Sequence, residues 1–281
     1  QAGGLAKLKE VNSYSPTSEL TAHRESLEAE FKARPPQTIN EAVERIEKKT
    51  GLRRSPTQVR QFLKGLGMKR VKVGHIPAKA DPAQQAAFLK EKLQPRLAEA
   101  QQGKRHVFFM DAAHFVLQPF LGFLWCLARV FIQSPSGRQR LNVLGALHAT
   151  SRQIITVINE DYINAETVAS LLRQLAAAFP DLPITIVLDN ARSQHCRLVM
   201  ETAVALGIEL LFLPPSSPNL NLVERLWKFV KKECLYSRYY ETFASFKGAI
   251  MGCLAEAQGK HQRKLSSLLT LKFQTFENES L

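Results

Sequence analysis

The sequence is short of cysteine and of acid. Its four cysteines, at 126, 196, 234 and 253, form no CxxC pair and no zinc-ligand spacing, which argues against a disulfide-stapled secreted scaffold and against a zinc ribbon. They fall within apolar or helical stretches, as the reduced core residues of a cytoplasmic protein do. A long hydrophobic run is missing too. The longest, Phe120 to Ile132, is interrupted by Arg129 and is too short to cross a bilayer, and no signal peptide is visible. Acidic residues number 25 against 38 lysines and arginines, a net charge of +13. That excess points to a polyanionic partner, nucleic acid ahead of an anionic membrane. A hydrophobic fraction of 45% is still that of a folded globular chain, and 281 residues suffice for a catalytic domain with a sizeable core plus one small module.

The chemistry gathers at three acids. Ile184 to Leu188 is a short β-branched run that reaches Asp189-Asn190 as the strand pattern stops. This places a carboxylate at the C-terminal edge of a sheet, where open α/β sheets bind ligands. A second run, Ile208 to Leu213, enters Pro214-Pro215-Ser216-Ser217-Pro218, which cannot continue a ladder. A helix then begins near Asn221, with residues 222, 223, 226, 227, 229 and 230 on an apolar face and Glu224, Lys228 and Lys231 on the other. An earlier strand, His106 to Met110, ends at Asp111. Between Asp189 and Glu224 lie 34 residues. Three hard oxygen donors suit Mg²⁺ or Mn²⁺, and two such ions about 3.5–4 Å apart can hold the attacking and leaving oxygens of an in-line phosphoryl transfer.

Each acid alone has a plainer reading. Asp111 could cap a turn, Asp189 could close an Asx-turn, and Glu224 could pair with Lys228 one turn on. Their order and spacing together favour the metal site. Asn190 and Ser193 are placed to support Asp189. His114 and His195 are not required by oxygen-ligated ions, and Trp125 and Trp227 read as core.

The segments VFFMDAAHF, IVLDNARSQH and LPPSSPNLNLVERLWKFVKK resemble the three acidic motifs of the DDE transposases of bacterial insertion sequences in the mariner-like superfamily, including the spacing from second Asp to Glu. The resemblance is strong over residues 104 to 240 and looser before them. One departure is Asn221-Leu222, where many relatives have Asn-Pro; that proline mainly pre-shapes the first helical turn, so the carboxylate should survive its loss. The resemblance implies that Asp111, Asp189 and Glu224 hold two Mg²⁺ or Mn²⁺ ions. It implies that metal-activated water cuts DNA at terminal inverted repeats, and that the freed 3′-hydroxyl attacks target DNA at a TA dinucleotide. A homodimer on double-stranded DNA in a bacterial cytoplasm, bound to the nucleoid, is expected with it. Two other readings stay open: a ribonuclease H-like nuclease that cuts without joining, and a truncated or domesticated DNA-binding protein without catalysis. The chain starts at Gln1 rather than Met, which suggests that a first helix-turn-helix is missing.

Taken in order, residues 1–80 read as an all-α helix-turn-helix module, 81–103 as a helical connector that Pro95 should kink, and 104–281 as the catalytic domain. From Gly51 to Lys79 there are eight Lys or Arg and no acid. Pro56 to Lys64 is the expected recognition helix, with Thr57, Gln58 and Gln61 facing bases and Arg53, Arg54, Arg60 and Lys64 on phosphates. Lys69, Arg70 and Lys72 would extend this surface as a wing or arm. Arg225, Lys228, Lys231 and Lys232, on the helix that carries Glu224, are expected along the DNA backbone.

After Arg105 the pattern reads as strands at 106–110, 123–132, 141–149 and 154–158, with Ser134 to Gly137 as a turn. Helices at 164–179 and 193–206 then alternate with the strands that end at Asp189 and Leu213. An antiparallel meander followed by β-α-β units predicts an α/β fold of ribonuclease H-like type, a mixed five-stranded sheet with flanking helices, with Asp111 and Asp189 on adjacent strands. The tail after Leu271 is expected to be peripheral.

Overall fold

The computed structural model describes residues 18–71, 79–118, 121, 126–128, 131–133, 139–191 and 194–275. They fall into two compact units that divide after residue 75.

The first unit is built from α1 (Arg24–Ala33), α2 (Ile39–Thr50) and α3 (Pro56–Gly65), preceded by a 3-10 turn at Glu19–His23. Its helix ends follow from local chemistry. Thr38 accepts the Glu41 N–H at 3.1 Å to start α2, which stops at Gly51 in the left-handed region, φ 73°. Ser55 and Gln58 close a reciprocal capping box on α3, with Pro56 in its first turn. Leu20, Leu27, Phe31, Ala42, Ile46, Val59 and Leu63 form a separate small core.

The second unit is organised by five strands in the order β3-β2-β1-β4-β5: β1 (His106–Val116), β2 (Arg140–His148), β3 (Ile154–Asn159), β4 (Ile184–Leu188) and β5 (Ile208–Phe212). β1 pairs antiparallel with β2 and parallel with β4, so it is the strand at which the sheet changes direction. One face is covered by α6 (Ala165–Ala178) and α7 (Arg197–Ala205), packed on Phe108, Met110 and Ile186. The other is covered by α8 (Val223–Val230) and α9 (Phe243–Ala255), packed on Val107, Phe109, Ala113 and Phe115. A last helix, α10 (Gln262–Leu268), adds Leu265 to that second layer.

Two expectations about strands need correction. β1 does not stop at Met110 but runs on to Val116, because its pairing with β2 continues to Val116 opposite Arg140 after its pairing with β4 ends at Phe109. Asp111 therefore lies within a strand, two residues beyond the last partner on β4. The strand expected over 123–132 falls partly outside the described residues, and its described positions, 126–128 and 131–132, are not in a strand. β2 is the direct antiparallel neighbour of β1. The turn expected at Ser134 to Gly137 lies outside the described residues.

The helical segment expected as a connector is part of the second core. Phe88, Leu93, Leu97 and Ala100 pack with the sheet residues from α4 (Pro82–Phe88), a π turn at Leu89–Leu93 and α5 (Gln94–Gln101). The π turn falls just ahead of Pro95, whose ring cannot accept the regular i−4 geometry; one wider turn removes that clash.

The start of β1 is fastened by a relay of rings. Backbone N–H groups of Thr150 and Ser151 donate to His148 Nδ1 at 3.3 and 3.1 Å, so His148 carries its proton on Nε2 and donates it to His106 Nδ1 at 3.0 Å. His106 Nε2–H then faces Asp181 at 3.0 Å. Burial pushes the His148 pKa down to about 4, which keeps that ring neutral.

Candidate active site

The parallel pairing of β1 with β4 sets the first two acids side by side. His106 to Phe109 lie opposite Ile184 to Val187, so Asp111 and Asp189 leave the same edge of neighbouring strands. Glu224 arrives from the first turn of α8. All three line one cleft of about 240 Å³, together with the Pro214 to Pro218 turn and Asn221. Among the described residues no lysine or arginine lines it.

The electrostatics of the cleft follow from that composition. Burial raises the pKa of Asp111 to about 7, and the charges of Glu224 and Asp189 push in the same direction. The Ala112 N–H opposes this without cancelling it. Asp189 is turned by its own backbone, for Ala191 N–H donates to its Oδ1 at 3.0 Å, an Asx-turn. Glu224 does not pair with Lys228, so the plain surface-helix reading of that acid does not hold. Among the described residues no three side chains of His, Cys, Asp and Glu stand close enough together, as they are placed here, to hold a metal ion. The three carboxylates line one cleft, and hard oxygens of like charge are donors that a divalent ion would suit.

Two asparagines hold the acid-bearing segments together. Asn190 Nδ2 donates to the Leu213 carbonyl at 2.6 Å, tying the loop after β4 to the exit of β5. Asn221, 4% exposed, donates from Nδ2 to the Met110 carbonyl at 3.2 Å and accepts the Val223 N–H at 3.3 Å. It thereby ties the start of α8 to the residue before Asp111. Asn221 was not among the expected site residues, although an asparagine just before a helix is a capping signal. Ser193, expected beside Asn190, lies outside the described residues. His114 is excluded by strand alternation: Asp111 shares its face with Phe109 and Ala113, whereas His114 lies on the other face and meets Asn142 Oδ1 at 2.5 Å.

The cations expected on DNA separate into free and engaged groups. Arg225 is engaged. Its guanidinium donates to the carbonyls of Leu268, Thr270 and Lys272 at 3.4, 2.8 and 2.6 Å and lies 5.8 Å over the Phe273 ring, and burial lowers its pKa. The segment after α10 is therefore docked, not peripheral, with Phe273 against Phe109 and Asn219 Nδ2 on the Gln274 carbonyl. Arg225→Ala is expected to lower stability by roughly 1–3 kcal/mol through its lost charged hydrogen bonds. Hydrogen exchange should show residues 268–274 losing protection first. Lys228 and Lys232 are exposed and form no ion pair among the described residues, while Lys231 lies 5.9 Å over Phe115.

In the first unit Arg54 is ion-paired with Glu19, and Arg53 reaches Glu47 at 4.0 Å. Arg60, Lys64, Lys69 and Arg70 form no ion pair among the described residues and line one groove with the start of α2. Thr57, Gln58 and Gln61 are exposed on α3, though Gln58 Oε1 also accepts the Ser55 N–H of the cap. Lys72 and Trp125 lie outside the described residues.

A mixed sheet in this order, with acids at the edge of its two central strands and a third acid on a following helix, defines a ribonuclease H-like fold with a nuclease-type cleft. Residues 106–247, about half of the chain, match the family model described as DDE superfamily endonuclease, and residues 37–92 match one described as winged helix-turn helix. The chain belongs to the DDE superfamily endonucleases.

Solved structures agree on the fold. A Mos1 transposase paired-end complex with the left transposon end is 15% identical, with a TM-score of 0.63 over 92% of this chain and 82% of that one. The Mos1 strand transfer complex is 16% identical, TM-score 0.59, over 94% and 81%. The Mos1 mariner paired end complex with Mn is 15% identical, TM-score 0.60, over 95% and 84%. No curated protein sequence matches the chain. Among the described residues no helix is long and apolar enough to cross a membrane.

Proposed function

We propose that this protein is a DNA transposase of the mariner-like kind, acting on the terminal inverted repeats of its own element and joining their cut ends to target DNA at a TA dinucleotide. The observation that carries this reading is the single cleft holding Asp111, Asp189 and Glu224 at the edge of β1, β4 and α8, in a chain of the DDE endonuclease family. Asp111, Asp189 and Glu224 are the residues that hold two Mg²⁺ or Mn²⁺ ions. When bound, those ions supply activation of the attacking oxygen and neutralisation of charge on the phosphate.

The protein's own part is positioning. Asn190 and Asn221 hold the acid-bearing segments in register, and the Ala191 N–H fixes Asp189 through Oδ1. No side chain acts as a nucleophile. Hydrolysis breaks the P–O3′ bond and leaves a free 3′-hydroxyl, which then attacks a target phosphate and expels the target's own 3′ oxygen, so phosphodiester bonds are conserved in the joining step. Lys228 and Lys232, beside Glu224, neutralise the DNA backbone as it enters the cleft.

The first unit supplies recognition. Arg60, Lys64, Lys69 and Arg70 lie on phosphates, and Thr57 and Gln61 face base edges from α3. Cutting two ends calls for two such sites, so the working form is a homodimer on double-stranded DNA. A bacterial cytoplasmic setting, with the protein on the nucleoid, fits this activity. Labelled inverted-repeat ends incubated with a target plasmid and Mg²⁺ test the reading: joined product is expected, and hydrolysis without joining would replace it with a nuclease.

A further inference from the structure

Trp227 follows Glu224 by one helical turn on α8 and is 3% exposed. Its ring reaches the sheet at Gly145, where an added Cβ would stand 2.6 Å from Cη2 and 2.8 Å from Cζ2 of the indole. Gly145 is the direct cross-strand partner of Asp111. Because Asp111 alternates with Phe109 and Ala113 onto the face that α8 covers, the indole fills the volume beside its carboxylate. Phe115 meets the same ring edge-on, at 6.1 Å between centroids and 83° between planes.

The polar edge of that ring is left over. Its Nε1–H is buried and has no hydrogen-bond partner among the described residues. A buried, unpaired donor costs about 1–3 kcal/mol, so it calls for a reason. The acid across the notch is Asp111, the cross-strand partner of Gly145 on the face that α8 covers.

We propose that Trp227 is a positioning residue for Asp111. With its ring seated in the notch left by Gly145, its unpaired N–H is available to take one carboxylate oxygen of Asp111 once a divalent ion orders that group, leaving the other oxygen for the ion. This rests on the reading of Asp111 as a metal ligand given above. It explains a glycine within a strand that needs no unusual backbone angle: the missing side chain makes room for the indole.

Trp227→Phe keeps an aromatic ring and removes the donor. The Mg²⁺ concentration for half-maximal DNA cleavage is expected to rise about tenfold or more, as when a ligand's supporting donor is lost. Gly145→Ala should move it the same way, and should add less in the Trp227→Phe background, where the smaller ring leaves space. A purely structural Trp227 would lower the unfolding midpoint and cleavage without moving the Mg²⁺ dependence, and that outcome overturns the proposal.

Asp189→Ala is run beside these variants. Cleavage that survives Asp189→Ala overturns the metal-site reading itself; cleavage that is lost there, with unmoved Mg²⁺ dependence in Trp227→Phe, overturns only the role of Trp227. Should Trp227→Phe fail to fold, Trp125→Phe leaves Trp227 as the sole indole of a chain with two tryptophans. Its emission is expected to shift on Mg²⁺ addition, and Asp111→Asn should abolish the shift. Emission indifferent to Mg²⁺ in a chain whose cleavage still needs Mg²⁺ contradicts the proposal.

Discussion

Asp111→Asn is expected to stabilise the metal-free protein above neutral pH while it abolishes DNA cleavage. Burial and the charges of Glu224 and Asp189 raise the Asp111 pKa from 3.8 to about 7 in the folded chain. The folded state thus holds this proton more tightly than the unfolded state. Its contribution to stability is fully present below about pH 4 and is lost as pH rises through about 7. An asparagine cannot ionise, so the variant escapes that loss. At pH 8 without divalent ions it should be more stable than the parent by roughly 2–4 kcal/mol, and at pH 4 by little. Thermal unfolding across this range measures it. Mg²⁺ should close the gap at pH 8 by stabilising only the parent, as a ligand that binds the native state does. Cleavage by the variant should fall at least about 10³-fold, since a group holding charge-stabilising ions is gone. A variant less stable at pH 8 and equally active would remove Asp111 from the site.

The second large effect is on DNA binding. Replacing Arg60, Lys64, Lys69 and Arg70 together by alanine removes four cations that have no protein partner among the described residues. Each phosphate contact contributes about 0.9 to the slope of log affinity against log salt, so the slope should flatten by about 3 to 4. Affinity for inverted-repeat DNA at low salt should fall by roughly 10²-fold or more. Arg54→Ala is the contrast. Its guanidinium is occupied by Glu19, so the substitution should weaken the first unit's fold and leave the slope nearly unchanged. An unchanged slope in the fourfold variant would move the DNA surface elsewhere.

Asp189 and Glu224 were legible as neighbours in one cleft because each stands where a local pattern breaks. Ile184 to Leu188 stops at Asp189, and the Pro214 to Pro218 turn forces the chain into the helix that carries Glu224. The helix caps at Thr38, Ser55 and Asn164 are local in the same way, since a side chain and a backbone N–H three residues on settle each. β1 was harder. Residues beyond Asp111 continue an apolar alternation only because β2 lies opposite them, and that partner is nearly thirty positions away.

Arg225 illustrates another limit. On the sequence it belongs to a row of cations beside Glu224, but its partners are three backbone carbonyls, which carry no mark in the residue pattern. The pairing of Arg54 is hidden in the sequence for the same kind of reason, because Glu19 comes from a turn 35 positions earlier. Asn221 and Gly145 did leave signals, a capping residue before a helix and a glycine within a strand. What those signals meant depended on Met110 and Trp227, which only the folded chain brings to them.

The most direct test of the central claim is strand transfer from labelled inverted-repeat ends into a plasmid with Mg²⁺, comparing the parent chain with Asp189→Ala. Joined product from the parent and none from the variant, with DNA binding equal in both, is the predicted result. Joining that persists in Asp189→Ala would contradict it.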